Sequence, residues 1–195
     1  MNPTLRAASA LGLALLLAAC GKSAEEHLAL ADAKYRAGDM DGAIAHYNHT
    51  IDKNPEIAVA YEGRGCAKEA KHDFDGAMAD YNQAIQLDPK TPLYYFNRAL
   101  LKRAKGDLDG AVADCEQAMK IGPRYAKPVN LRGEIKADKG DLQGAITDFT
   151  KAITMAPDFA DAYSNRCNAR MNLGDLKGAQ ADMDRGNEIK RAQRK

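Results

Sequence analysis

The chain has 195 residues, with 28 Lys and Arg against 27 Asp and Glu, and four Cys. That length fits one domain or one array and can bury a core without disulfide staples. A net charge of +1 argues against nucleic-acid binding, which needs a strong basic excess. At 45% hydrophobic and 28% charged residues the chain is not wholly disordered, and an Ala-rich composition with no Trp leans helical.

The chain begins with a segment unlike the rest. In residues 1–19 Arg6 is the one charged side chain, and an apolar run follows from Leu11 to Ala19. The run is too short for a mature membrane span, which takes about 20 apolar residues. It has the form of a secretory signal peptide. Its end, Leu17-Ala18-Ala19-Cys20-Gly21, resembles the bacterial lipobox. That resemblance implies cleavage before Cys20 and lipid attachment at Cys20, with several acyl chains giving a stable anchor. The alternative is a plain secreted protein with an incidental Cys20. By resemblance to enteric lipoproteins, Gly21 in place of Asp implies the outer membrane, facing the periplasm. Residues 20–23 make a short tether; three residues beyond Cys20 reach roughly 10–14 Å, which keeps residue 24 and its neighbours near the bilayer.

From residue 24 the chain is periodic. Pro55, Pro89, Pro123 and Pro157 recur every 34 residues, as do the Gly-Ala pairs at 42–43, 76–77, 110–111, 144–145 and 178–179. This spacing divides the chain into five uninterrupted units, 24–57, 58–91, 92–125, 126–159 and 160–193, with 194–195 a basic end. Each unit reads as two helices. Gly38, Gly106, Gly140 and Gly174 end the first helix where φ > 0 is wanted, and His72 stands there in unit two. Asp39, Asp73, Asp107, Asp141 and Asp175 come next and suit a helix start. Each Pro closes the second helix.

The period and the unit pattern resemble the tetratricopeptide repeat (TPR), over residues 24–193. Large residues stand at position 4 (Tyr61, Tyr95, Val129, Tyr163) and small ones at position 8 (Ala31, Gly65, Ala99, Gly133, Cys167). Ala holds position 20 in all five units, and Tyr47, Tyr81, Cys115, Phe149 and Met183 hold position 24. The resemblance implies an all-α fold, a right-handed α-solenoid in which each unit buries its apolar face against its neighbours.

Three positions depart from the family pattern. Position 7 carries Arg64, Arg98, Arg132 and Arg166; position 23 carries Asp80, Asp114, Asp148 and Asp182; position 11 is basic in every unit (Lys34, Lys68, Lys102, Lys136, Arg170). Unit one lacks both members of the first pair, with Leu30 and His46 instead. Joint presence and joint absence predict structural Arg–Asp ion pairs, which suit the guanidinium fork. The alternative is a basic ladder for a small anionic ligand, in a carrier or an enzyme. In unit five, Gln180, Gly186 and Asn187 replace apolar or small residues, which predicts a polar terminal cap. Residues 20–184 carry 22 basic and 26 acidic side chains, so the body is mildly acidic, while residues 185–195 carry five basic and one acidic. That basic end reads as a solvated helix terminus or as a contact for acidic lipid.

No catalytic constellation and no cofactor motif is found. The Asp-x-Asp-Gly stretches lack the Glu that a calcium loop needs at its twelfth position. His46 and His49 share a helix face, but two His make no structural zinc site, and no metal is expected. Cys66, Cys115 and Cys167 are expected to be free thiols, the last two packing as small hydrophobes.

By resemblance, the first helices line a concave groove that takes a protein or peptide partner. This nominates Leu93, Phe96, Asn97, Leu100, Lys127, Asn130, Asn165 and Asn168: an apolar centre with carboxamides that both donate to and accept from a peptide backbone. Phe96 has a second reading, as a packing residue. The carboxylate clamp of some TPR co-chaperones fits Asn97 and Lys127 but fails at Glu62, Cys66 and Leu131. The expectation is a membrane-anchored scaffold of the bacterial envelope.

Overall fold

The computed structural model describes residues 22–193. Residues 1–21, on which the signal-peptide and Cys20 lipid-attachment expectations fall, and residues 194–195 lie outside them. Ten α-helices, and no strand, are found among the described residues: α1 (Ala24–Arg36), α2 (Met40–Lys53), α3 (Ala58–Ala70), α4 (Phe74–Leu87), α5 (Pro92–Ala104), α6 (Leu108–Ile121), α7 (Ala126–Asp138), α8 (Leu142–Met155), α9 (Ala160–Asn172) and α10 (Leu176–Ala192). Each odd helix packs against the even helix after it, and the pairs stack in chain order. The protein is an α-solenoid of five helix pairs.

The local sequence explains each pair. Asp39, Asp73, Asp107, Asp141 and Asp175 are N-caps, and each carboxylate accepts from the N–H of the glycine three residues on. That glycine is required. A Cβ on Gly42 would sit 2.4 Å from the Asp39 carboxylate, and one on Gly144 only 2.0 Å from that of Asp141, displacing the cap. The Ala beside it is buried in every unit. The recurrent Gly-Ala pair is therefore a cap seat and then a packing seat. Helix α1 instead starts with a capping box, Ser23 with Glu26.

The turns between paired helices run through φ of 79° to 85° at Gly38, Gly106, Gly140 and Gly174. His72 takes the same turn at φ 64°. A left-handed non-glycine residue costs about 1–2 kcal/mol, and glycine would return about 0.5–1 kcal/mol of this in chain entropy. His72→Gly is therefore expected to stabilise the protein by about 0.5 kcal/mol, read as a higher urea midpoint at unchanged slope.

Large and small residues alternate through the core. Phe149 lies against Gly133, where a Cβ would come within 2.6 Å of the ring, and Tyr81 lies against Gly65 at 2.7 Å. Tyr47 fills the equivalent place in unit one and also abuts Gly63 of unit two. Where position 24 shrinks to Cys115, position 8 is Ala99. The terminal helix differs from the expected polar cap. Gln180 and Asn187 are exposed, but so are Leu176 at 70% and Met183 at 45%, since among the described residues no helix packs on that side of α10. Gly186 is buried, and a Cβ there would make ordinary contact with Tyr163 and Ala160 at 3.5 and 3.6 Å, so an alanine would fit as well. No helix among the described residues is long and apolar enough to cross a membrane.

Candidate functional site

The Arg and Asp residues of units two to five meet within each helix pair. Arg98 Nε and Nη2 donate to the two oxygens of Asp114 at 2.8 and 2.7 Å, and Lys102 Nζ lies 2.8 Å from the same carboxylate. The arrangement repeats at Arg64–Asp80 with Lys68, Arg132–Asp148 with Lys136, and Arg166–Asp182 with Arg170. All four Asp are buried. In units two to five one carboxylate thus explains positions 7, 11 and 23 at once, while Lys34 of unit one pairs with Asp39. The third guanidinium nitrogen reaches back to the preceding unit, at Asn48, Asn82, Glu116 and Thr150. In units two, three and five the Arg also lies over the Tyr three residues earlier, at 5.4–5.7 Å. The cations are committed to carboxylates within the fold, which leaves an anionic ligand little to bind.

At Asp148 burial alone would raise the pKa, but Arg132 and Lys136 outweigh it and hold the group below the usual carboxylate value. A depressed acid stabilises the fold fully above about pH 4 and loses that contribution as pH falls through its folded value. The stability gap between the native protein and Arg132→Met should therefore be widest at neutral pH and narrow below about pH 4, by urea unfolding at each pH. A gap independent of pH would contradict this.

The groove runs along α3, α5, α7 and α9. Leu93 and Leu100 are 40% and 37% exposed, and Lys127 and Asn168 are also exposed. Phe96 is half-buried, packing edge-on against Tyr125 at 5.5 Å between ring centres. It is both groove floor and packing residue. Hollows of 430 and 230 Å³ share Leu100: the first is walled by Tyr35, Glu69, Phe74 and Asn97, the second by Phe96, Lys127 and Phe159. A third, of 310 Å³, lies beyond them against Asn165, Asn168 and Asn172.

Several nominated carboxamides are already engaged. Asn97 donates to Glu62 at 2.7 Å, linking units two and three. Asn130 is buried and donates to Glu134, while Asn165 of the next unit reaches both Asn130 and Glu134. Asn130 is thus corrected from a peptide-facing group to a joint between units. Arg103 completes this line by bonding Glu134 and Asp138 of the next unit. Such bridges join residues 31 or 35 apart and have no sequence signature. Among the described residues no buried side-chain polar atom lacks a partner. Asn168 and Lys127 remain at the surface for an outside ligand.

Burial raises the Glu62 carboxyl despite hydrogen bonds from Cys66 and Asn97. Burial and the neighbouring Glu62 push the Cys66 thiol up to about 12, so it is a weak nucleophile at neutral pH. Cys66, Cys115 and Cys167 are all free thiols, and Cys115 and Cys167 are buried.

Paired helices, stacked in register with a lined inner face, define a helical-repeat solenoid. Family models described as tetratricopeptide or TPR repeat match residues 27–56, 70–102, 93–125 and 126–159, and the chain belongs to the tetratricopeptide-repeat family. Among curated proteins, none matches it. Solved structures share the fold. PilF of Pseudomonas aeruginosa aligns at 12% identity with a TM-score of 0.79, over 85% of this chain and 76% of its own. MamA from Desulfovibrio magneticus RS-1 aligns at 16% and 0.75, over 89% and 98%. YrrB, described as a TPR protein with an unusual peptide-binding site, aligns at 16% and 0.67, over 90% and 91%.

Proposed function

We propose that the protein is a lipid-anchored scaffold of the bacterial cell envelope that holds a protein or peptide segment in its concave groove. The observation that carries the binding reading is the exposed apolar pair Leu93 and Leu100 on the groove face, with Leu100 on the wall of two hollows, one of which Phe96 also lines. An apolar anchor beside polar groups is how binding hot spots are built. The peptide site described for YrrB, on a similar solenoid, supports the same reading. The commitment of the basic ladder to Asp80, Asp114, Asp148 and Asp182 turns the reading away from a small-anion carrier or an enzyme built on it. The anchoring reading rests on Leu17-Ala18-Ala19-Cys20-Gly21 and its apolar approach. Gly21 favours the outer membrane, with the array in the periplasm.

A photo-crosslinker at position 100, in native cells, is expected to capture a discrete protein. The adduct should disappear when Phe96→Asp is added, and should not form from position 117 on the outer helix α6. Cys20→Ser should release the protein from membranes and abolish acyl labelling. Adducts that ignore Phe96→Asp would refute the groove reading, and a membrane-bound, unlabelled Cys20→Ser variant would refute the anchor.

A further inference from the structure

Unit one lacks the Arg–Asp clasp of its successors, and a cluster of imidazoles stands there instead. His27 occupies position 4, where the other units have Tyr61, Tyr95, Val129 and Tyr163. His46 occupies position 23, the place of the clasp Asp. His49 occupies position 26, where Gln83, Gln117, Lys151 and Arg185 stand elsewhere. The fold brings all three together across the α1–α2 pair. Ring centres lie 4.8 Å apart for His27–His49, 5.4 Å for His27–His46 and 6.4 Å for His46–His49.

His27 Nδ1 and His46 Nδ1 share a hydrogen bond at 3.1 Å, one ring donating its N–H and the other accepting, and a metal ion would replace that proton. Zinc–imidazole bonds of about 2.0–2.1 Å place two ligand nitrogens roughly 3.3 Å apart in a tetrahedron and roughly 2.9 Å apart in an octahedron. The observed separation falls between these values. As they stand, no three His, Cys, Asp or Glu side chains among the described residues form a complete metal-binding group. The third ligand must come from rotation of His49. Its side chain is exposed, and it sits three residues from His46 on one helix face.

We propose that His27, His46 and His49 bind one divalent transition-metal ion, such as Zn²⁺, through three imidazoles, leaving a position for water or an outside ligand. Imidazole ligands select this class over Ca²⁺ and Mg²⁺, which take oxygen. The ion would tie α1 to α2 where units two to five use the Arg–Asp clasp. Burial first, and then the other two rings, Lys53 and Lys22, lower the pKa of His27. Asp39, on the same helix pair, is already paired with Lys34 at 2.8 Å. The two lysines repel a cation, so binding should be moderate.

The test uses the full chain without a polyhistidine tag, in detergent, titrated with Zn²⁺ by calorimetry and with Co²⁺ by visible absorption. One ion per chain is expected at pH 7.5. His27→Tyr, which installs the residue of units two, three and five, should weaken binding by more than about tenfold. The exposed substitution His49→Gln should do the same, and it covers the case in which His27→Tyr misfolds. His72→Ala, outside the cluster, should bind as the native chain does. Hydrogen exchange in α1 and α2 should slow on adding Zn²⁺. Absence of stoichiometric binding, or affinity unchanged in His49→Gln, would overturn the proposal.

Discussion

Replacing Arg98 by Met should lower the stability of the protein by about 3 kcal/mol. The reason lies in what is left behind. Asp114 is 4% exposed and accepts two hydrogen bonds from Arg98. Without them it keeps only the Lys102 ammonium at 2.8 Å, so a buried carboxylate is half-compensated. Breaking such a pair from one side costs far more than removing both partners. The double variant Arg98→Met with Asp114→Leu should therefore recover most of the loss, and the coupling is read directly in a double-mutant cycle by urea unfolding. A single-variant loss below about 0.5 kcal/mol would place the pair among solvated surface bridges. Lost partner capture at unchanged stability would return the Arg residues to a ligand-binding role.

The second large effect is expected at Phe149. Its ring is 2% exposed, clusters with Ala145 and Ala169, and lies over the bare backbone of Gly133. Phe149→Ala leaves a cavity between units four and five and should cost about 3–5 kcal/mol. Because each unit touches only its neighbours, the loss weakens the coupling across unit four, so urea unfolding should broaden or split. Met183 holds the same repeat position in unit five but is 45% exposed. Met183→Ala should cost less than about 1 kcal/mol. Equal losses at the two sites would contradict the stacking account.

The architecture was legible because the 34-residue period places turn glycines, cap aspartates and core alanines at fixed offsets. The Arg–Asp clasps were legible for a subtler reason: unit one dropped Arg and Asp together, and covariation inside one chain marks a contact. Position 11 stayed ambiguous, since only the structure shows Lys68, Lys102 and Lys136 turning onto the same carboxylate. The groove was legible as a face but not in its bonding. Asn130 and Arg103 look alike as exposed helix residues in one dimension, yet both are used to join units, because helical stacking brings residues 31 to 35 apart into contact. The histidine cluster was half-visible for the same reason: His46 and His49 share a helix, while His27 arrives from its neighbour.

The scaffold account stands on the groove, and photo-crosslinking from position 100 in native cells tests it most directly. It predicts a discrete protein adduct that is lost with Phe96→Asp and absent from position 117. Adducts of equal strength from both faces, or none from position 100, would contradict it.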